Sequence, residues 1–93
     1  VPVSVVIPSV LAPAARGQTE FEVPDASGSV RGVLEALAAE FPVLGRRLRD
    51  ERGALRRHVN VYVGGQDVRR LEGLDTAVRP GQEVLVIQSV AGG

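Results

Sequence analysis

The residues able to do chemistry are few, and most candidate arrangements fail at once. There is no cysteine, so thiol nucleophiles, thiolate metal sites and disulfides are all excluded. His58 is the one histidine; no nearby carboxylate or nucleophile completes a triad or a metal set around it, which leaves it reading as a strand-edge residue. Arg46, Arg47, Arg49, Arg52, Arg56 and Arg57 crowd one stretch that holds only Asp50 and Glu51 as acids. That run reads as a solvated face or a surface for an acidic protein, and without interleaved aromatic side chains it makes a poor nucleic-acid site. What remains is the end of the chain, "VLVIQSVAGG", where Gly92 and Gly93 carry no side chain and the one reactive group is the terminal carboxyl.

A carboxylate is a poor electrophile, because its charge is delocalised and its leaving group would be an oxide. Any chemistry at Gly93 therefore needs activation by another molecule. All eleven basic residues are arginine, so no side-chain amine is present to capture an activated end; a GC-biased codon usage would leave the same pattern.

The elements that must present this end can be read from hydrophobic period. "PVSVVI" puts Val3, Val5 and Ile7 on one side of a first strand and Ser4 and Val6 on the other. Pro8 and "PAARGQ" open a loop, and "TEFEV" alternates again as a second strand before the turn cluster "PDASGS". The period then changes: Val30, Val33, Leu34, Leu37 and Phe41 mark one face of an amphipathic helix, with Ser29 as N-cap and Pro42 as its end. The Arg-rich stretch that follows, anchored by Leu44, Leu48 and Leu55, reads as a second helical turn and a loop. "HVNVYVGGQDVRRL" is a hairpin closed by Gly64 and Gly65. After a short helical turn and a Pro80-Gly81 turn, Val84 to Ile87 is apolar on both sides, which marks a central strand. A charge at Leu85 or Ile87 is accordingly expected to meet solvent at one position and the core at the other.

Two strands, a helix, two strands with small elements and a last strand predict an α+β fold, a mixed sheet with one main helix on one face and short extra helical turns. At 93 residues it is a single domain with a modest core, which seventeen valines, two Phe and no Trp make aliphatic. Eleven acidic residues balance the arginines, so no global field draws the chain to nucleic acid or membrane. No apolar run reaches the length of a membrane span and no signal peptide is evident, which together with the absence of cysteine predicts a cytoplasmic protein, monomeric when free.

The segment "HVNVYVGGQDVRRLEGLDTAVRPGQEVLVIQSVAGG" resembles the C-terminal half of the MoaD/ThiS sulfur-carrier family, most closely its CysO-like members. The likeness rests on the Val-Asn-x-Tyr-Val hairpin, the Glu-Val segment before the last strand and the terminal Val-x-Gly-Gly, and extends more loosely to the first strand and the helix ending "AAEFP". Many relatives carry an acidic residue where Gln82 stands and a proline near Gln88 or Ser89. The resemblance implies a β-grasp, ubiquitin-like domain over residues 1–88 and a flexible tail over 89–93. It implies a carrier rather than an enzyme, with no catalytic residue, no metal ligand and no permanently bound cofactor.

By the same resemblance, Gly93 is the site of adenylation and thiocarboxylate formation. A separate adenylating enzyme, using ATP and Mg²⁺, activates its carboxylate; a sulfur donor protein or sulfide replaces AMP; and a biosynthetic enzyme accepts the sulfur. Cysteine, molybdopterin, thiamine or a sulfur-containing natural product could be the destination. A ubiquitin-like modifier, joined through Gly93 to lysines of other proteins, uses the same activation and stands as the alternative. In either case Val90, Ala91 and Gly92 must thread a narrow channel in the partner, where a Cβ at Gly92 would obstruct. Because one helix covers one sheet face, the outward Val6 and Tyr62, with Leu85 and Ile87 on the last strand, are expected to form an apolar docking patch beside the tail.

Overall fold

The computed structural model describes residues 2–23 and 28–88. Strand β1 (Val3–Val6) is followed by a 3-10 helix over Ser9–Ala15, and β2 (Glu20–Val23) returns antiparallel to β1. Helices α1 (Val30–Glu40) and α2 (Pro42–Leu48) come next, then β3 (Val59–Val63), the two-residue β4 (Gln66–Asp67), two short 3-10 turns, and β5 (Glu83–Gln88). The sheet order is β2-β1-β5-β3-β4, with β5 parallel to β1 and antiparallel to β3. The last strand is thus central, as its two-sided apolar character requires, and the architecture is the mixed-sheet β-grasp.

Local chemistry accounts for the joints. Ser29 holds an extended backbone and its hydroxyl accepts a hydrogen bond from the Gly32 N–H at 3.2 Å, capping α1. The helix stops at Glu40 because Pro42 has no N–H to continue the ladder; the same proline sits in the first turn of α2, where a missing donor costs nothing. The β3–β4 hairpin turns on Gly64 (φ 58°) and Gly65 (φ 83°), two successive positive φ angles that side-chain-bearing residues rarely adopt.

The inward side of β1, β3 and β5 is built from valine: Val3, Val5, Val59, Val61, Val63, Val84 and Val86 are buried. Facing them are Val30, Val33, Leu34 and Leu37 of α1 and Leu44 and Leu48 of α2, all in one core cluster. Each such side chain contributes roughly 1.5–3 kcal/mol on leaving water. Phe21 and Phe41 close one side, with tilted rings 5.4 Å apart. The two helices approach closely at Gly45, where a Cβ would lie 2.5 Å from the Ala38 Cβ.

Two expectations are corrected. The stretch after Pro8 is not an open loop: Leu11 and Ala15, four apart, are both buried, and their burial draws the backbone into 3-10 turns that end at Arg16 in the left-handed region (φ 56°). Leu85 and Ile87 do not divide between core and solvent either. Two residues apart on a strand, they share one side, and both point away from the helices while Val84 and Val86 point in.

Candidate functional site: the open sheet face and the exit of the chain

Strand alternation fixes what the uncovered face presents. Val6 of β1 is in register with Leu85 of β5, Leu85 with Tyr62 of β3, and Tyr62 with Asp67 of β4, so one row of side chains crosses the sheet. In the next row towards the end of β5, Ile87 stands opposite Asn60. Val6, Tyr62 and Leu85 are half-buried among their neighbours and Ile87 is 41% exposed; none of the described helices covers this side. The four residues read from the sequence as a docking patch are therefore brought onto one face and made contiguous. On the β2 side and towards the start of β5, the face turns acidic, with Glu20, Glu22 and Glu83 around Ser4 and Val6.

Leu71 was not anticipated. With Tyr62, Gly65, Gln66, Asp67 and Arg70 it lines a shallow depression at the β4 edge, and it is 43% exposed. A leucine directly after "VRR" and outside any helical or strand period was the available signal. The β4 edge is held by Arg69, whose guanidinium donates to the Asn60 Oδ1 at 2.8 Å and to the Arg56 carbonyl at 3.0 Å.

The apolar row reaches Ile87, next to Gln88, the last described residue and the point from which the sequence continues to Gly93. Gln88 pairs with Val59 at the start of β3, and five residues separate it from the last atom of Gly93. Val90, Ala91, Gly92 and Gly93, the threading and reacting positions expected from the sequence, lie outside the described residues. His58 is exposed and immediately precedes β3, beside this exit. Among the described residues no group of His, Asp and Glu is placed to hold a metal ion, and no helix is long and apolar enough to cross a membrane.

With this geometry in hand, comparison with known proteins gives a consistent answer. The ThiS family model matches residues 5–93. The sulfur carrier protein CysO of Mycobacterium tuberculosis is 40% identical over 98% of each chain. A chain of the Amycolatopsis orientalis BexX/CysO complex superposes with a TM-score of 0.87 at 31% identity, covering 98% of this chain and 99% of that one. Small archaeal modifier protein 3 of Haloferax volcanii is 41% identical over 74% of each chain. The chain is thus similar both to sulfur carriers and to ubiquitin-like modifiers of the same fold.

Proposed function

From the premise that the chain belongs to the ThiS family of small carrier proteins, we propose that it carries sulfur as a thiocarboxylate on Gly93. The observation that carries this reading is the contiguous apolar face of Val6, Leu85 and Tyr62, continued by Ile87 to the last described residue of β5, Gln88, with Gly92-Gly93 following in the sequence. The face docks on a partner adenylating enzyme, and residues 89–93, reaching about 17 Å when extended, deliver the terminal carboxylate into its nucleotide site.

There a carboxylate oxygen attacks the α-phosphorus of ATP, the α–β phosphoanhydride bond breaks, and pyrophosphate leaves, assisted by Mg²⁺ bound to the nucleotide. Sulfide then adds to the acyl carbon, the bond from that carbon to the AMP oxygen breaks and AMP departs, and loss of the sulfide proton to solvent leaves the thiocarboxylate that a biosynthetic enzyme consumes. The role of this chain is positional: Gly92 lets the backbone pass where a Cβ would collide, and Gly93 presents the reacting carbon in near-contact alignment. Complex formation between CysO and BexX in Amycolatopsis orientalis supports a function exercised with a partner protein.

The test is a mass measurement. Incubated with the adenylating enzyme from the same genome, MgATP and a sulfur donor, the chain should gain the difference between sulfur and oxygen, located by fragmentation at Gly93. Deleting Gly93 should abolish the gain, because the new carboxylate at Gly92 falls about 3.3 Å short. Gly92→Val should impair it strongly while both variants keep the parent's unfolding transition. A truncated chain that gains sulfur as well as the parent would remove the main support. Similarity to small archaeal modifier protein 3 favours a second reading, capture of activated Gly93 by a lysine of another protein; isopeptide-linked conjugates in cells, in place of free thiocarboxylate, would select it.

A further inference from the structure

The Arg-rich stretch, which the carrier chemistry leaves without a role, does not spread evenly over the surface. Arg46 and Arg47 from the last turn of α2, Arg56, His58 and Val43 line one concavity. Arg56 is fixed there by its Nε, which donates to the Arg46 carbonyl at 2.7 Å, and its two terminal nitrogens make no hydrogen bond among the described residues. The one ion pair among the described residues is Arg31–Asp75, so none of these three guanidinium groups is neutralised by a described carboxylate. Val43, 44% exposed, gives the concavity an apolar element.

Its position is informative. His58 directly precedes Val59, the residue paired with Gln88, so the basic concavity stands at the end of the sheet from which the chain runs on to Gly93. The opposite sheet edge carries Glu20, Glu22 and nearby Glu40. Basic side chains thus gather in the concavity and acidic ones at β2, with Asp50 and Glu51 in the neighbouring depression that Arg46 and Arg49 also line.

Resting on the carrier reading above, we propose that this concavity is a second docking site, distinct from the open sheet face, for an acidic segment of the adenylating enzyme that flanks its channel. Unneutralised arginines bind carboxylates with paired donors. An exposed cluster of one sign steers encounter and fixes orientation more than it adds to intrinsic affinity. Set beside the exit, it turns the tail towards the channel before the apolar face seats. An extended polyanion is the poorer fit: the concavity is short, has no aromatic side chain except His58 on which a base could stack, and the far end of the molecule is acidic.

The experiment compares the parent with Arg46→Glu/Arg47→Glu. Both side chains are exposed, and the Arg46 backbone carbonyl that holds Arg56 is retained. Initial rates of thiocarboxylate formation are measured against carrier concentration at low and high salt. At about 50 mM salt the reversed pair should raise the half-saturating concentration about tenfold with the maximal rate unchanged, and at about 500 mM the difference should shrink to within about twofold. Arg46→Gln/Arg47→Gln should shift it about threefold in the same direction, and decides the matter should charge reversal unsettle the fold. A parent that gains no sulfur overturns the carrier reading and the docking site together. A parent that gains sulfur, with variants saturating at the parent's concentration, overturns the docking site alone. Salt-dependent binding of the parent to duplex DNA or single-stranded RNA, lost in the reversed pair, would replace the acidic protein with a nucleic acid.

Discussion

The two faces of the sheet are built from the same strands and obey different rules. On the covered face the inward positions of β1, β3 and β5 are valine from Val3 to Val86, each almost fully buried. On the open face the intervening positions hold Ser4, Val6, Asn60, Tyr62, Glu83, Leu85 and Ile87, a mixture graded from acidic and polar at one end to apolar near the exit. Folding demands the first composition, because a helix pair must seat on a smooth aliphatic surface. It does not demand the second. A face with only solvent to satisfy would serve as well with polar residues at 6, 62, 85 and 87. Isolated apolar residues on a surface are ordinary, whereas a contiguous row of them is what the docking proposed above would require.

The largest expected effect separates the faces by one residue step. Val86→Asp puts an unpaired carboxylate into the core and should cost more than about 4 kcal/mol, leaving the chain unfolded in circular dichroism. Leu85→Asp and Ile87→Asp, on the other side of the same strand, should unfold within about 1 kcal/mol of the parent in urea. They should nevertheless lower the rate of thiocarboxylate formation tenfold or more, the loss expected when a charge enters the centre of an apolar interface. Leu85→Asp and Ile87→Asp chains that fold and are activated at the parental rate would show that the open face docks nothing.

The covered face is next tested at its tightest point. Gly45→Ala would place a Cβ 2.5 Å from the Ala38 Cβ and 3.1 Å from its Cα, and an alanine has no flexible side-chain end to yield. Prying α2 from α1 should cost about 1–3 kcal/mol in urea unfolding. Adding Ala38→Gly should return part of that loss despite the lower helix propensity of glycine, a non-additivity that a purely local effect at residue 45 would not give.

Much of this contrast was legible in the sequence because it is periodic. Val3/Val5/Ile7, Val59/Val61/Val63 and the spacing of Val30, Val33, Leu34 and Leu37 identify strands, helix and core without reference to any neighbour. Parity alone also puts Val6 and Tyr62 opposite the core, and applied consistently it would have put Leu85 with Ile87. The less legible features depend on packing between distant segments. Leu11 and Ala15 fold a Pro/Ala-rich stretch into 3-10 turns because a hollow beside the helices receives them, and propensity carries no trace of that hollow. The joining of Arg46 and Arg47 with Arg56 and His58 likewise arises from α2 lying alongside the approach to β3, where the Arg56 N–H meets the Leu48 carbonyl at 3.0 Å. In the linear chain these residues are one long basic run; in three dimensions four of them share a concavity.

The smallest effect concerns how the cover is fastened. The Ser29 hydroxyl accepts the Gly32 N–H at 3.2 Å, relieving one of the four amides that a helix leaves without an internal partner at its start. Ser29→Ala removes that acceptor and nothing else, since the side chain is short and only half-buried. The Gly32 amide is only half-buried and can turn to water, so the loss should be about 1 kcal/mol, seen as an earlier midpoint in urea with an unchanged slope. α1 lies wholly on the covered side, and Ser29 is absent from the row formed by Val6, Leu85 and Tyr62. Activation measured well below the unfolding transition should therefore match the parent. A fall in thiocarboxylate formation larger than the fraction unfolded would mean that the helical layer tunes the open face through the sheet, and the two faces would no longer be separable in the way their compositions suggest.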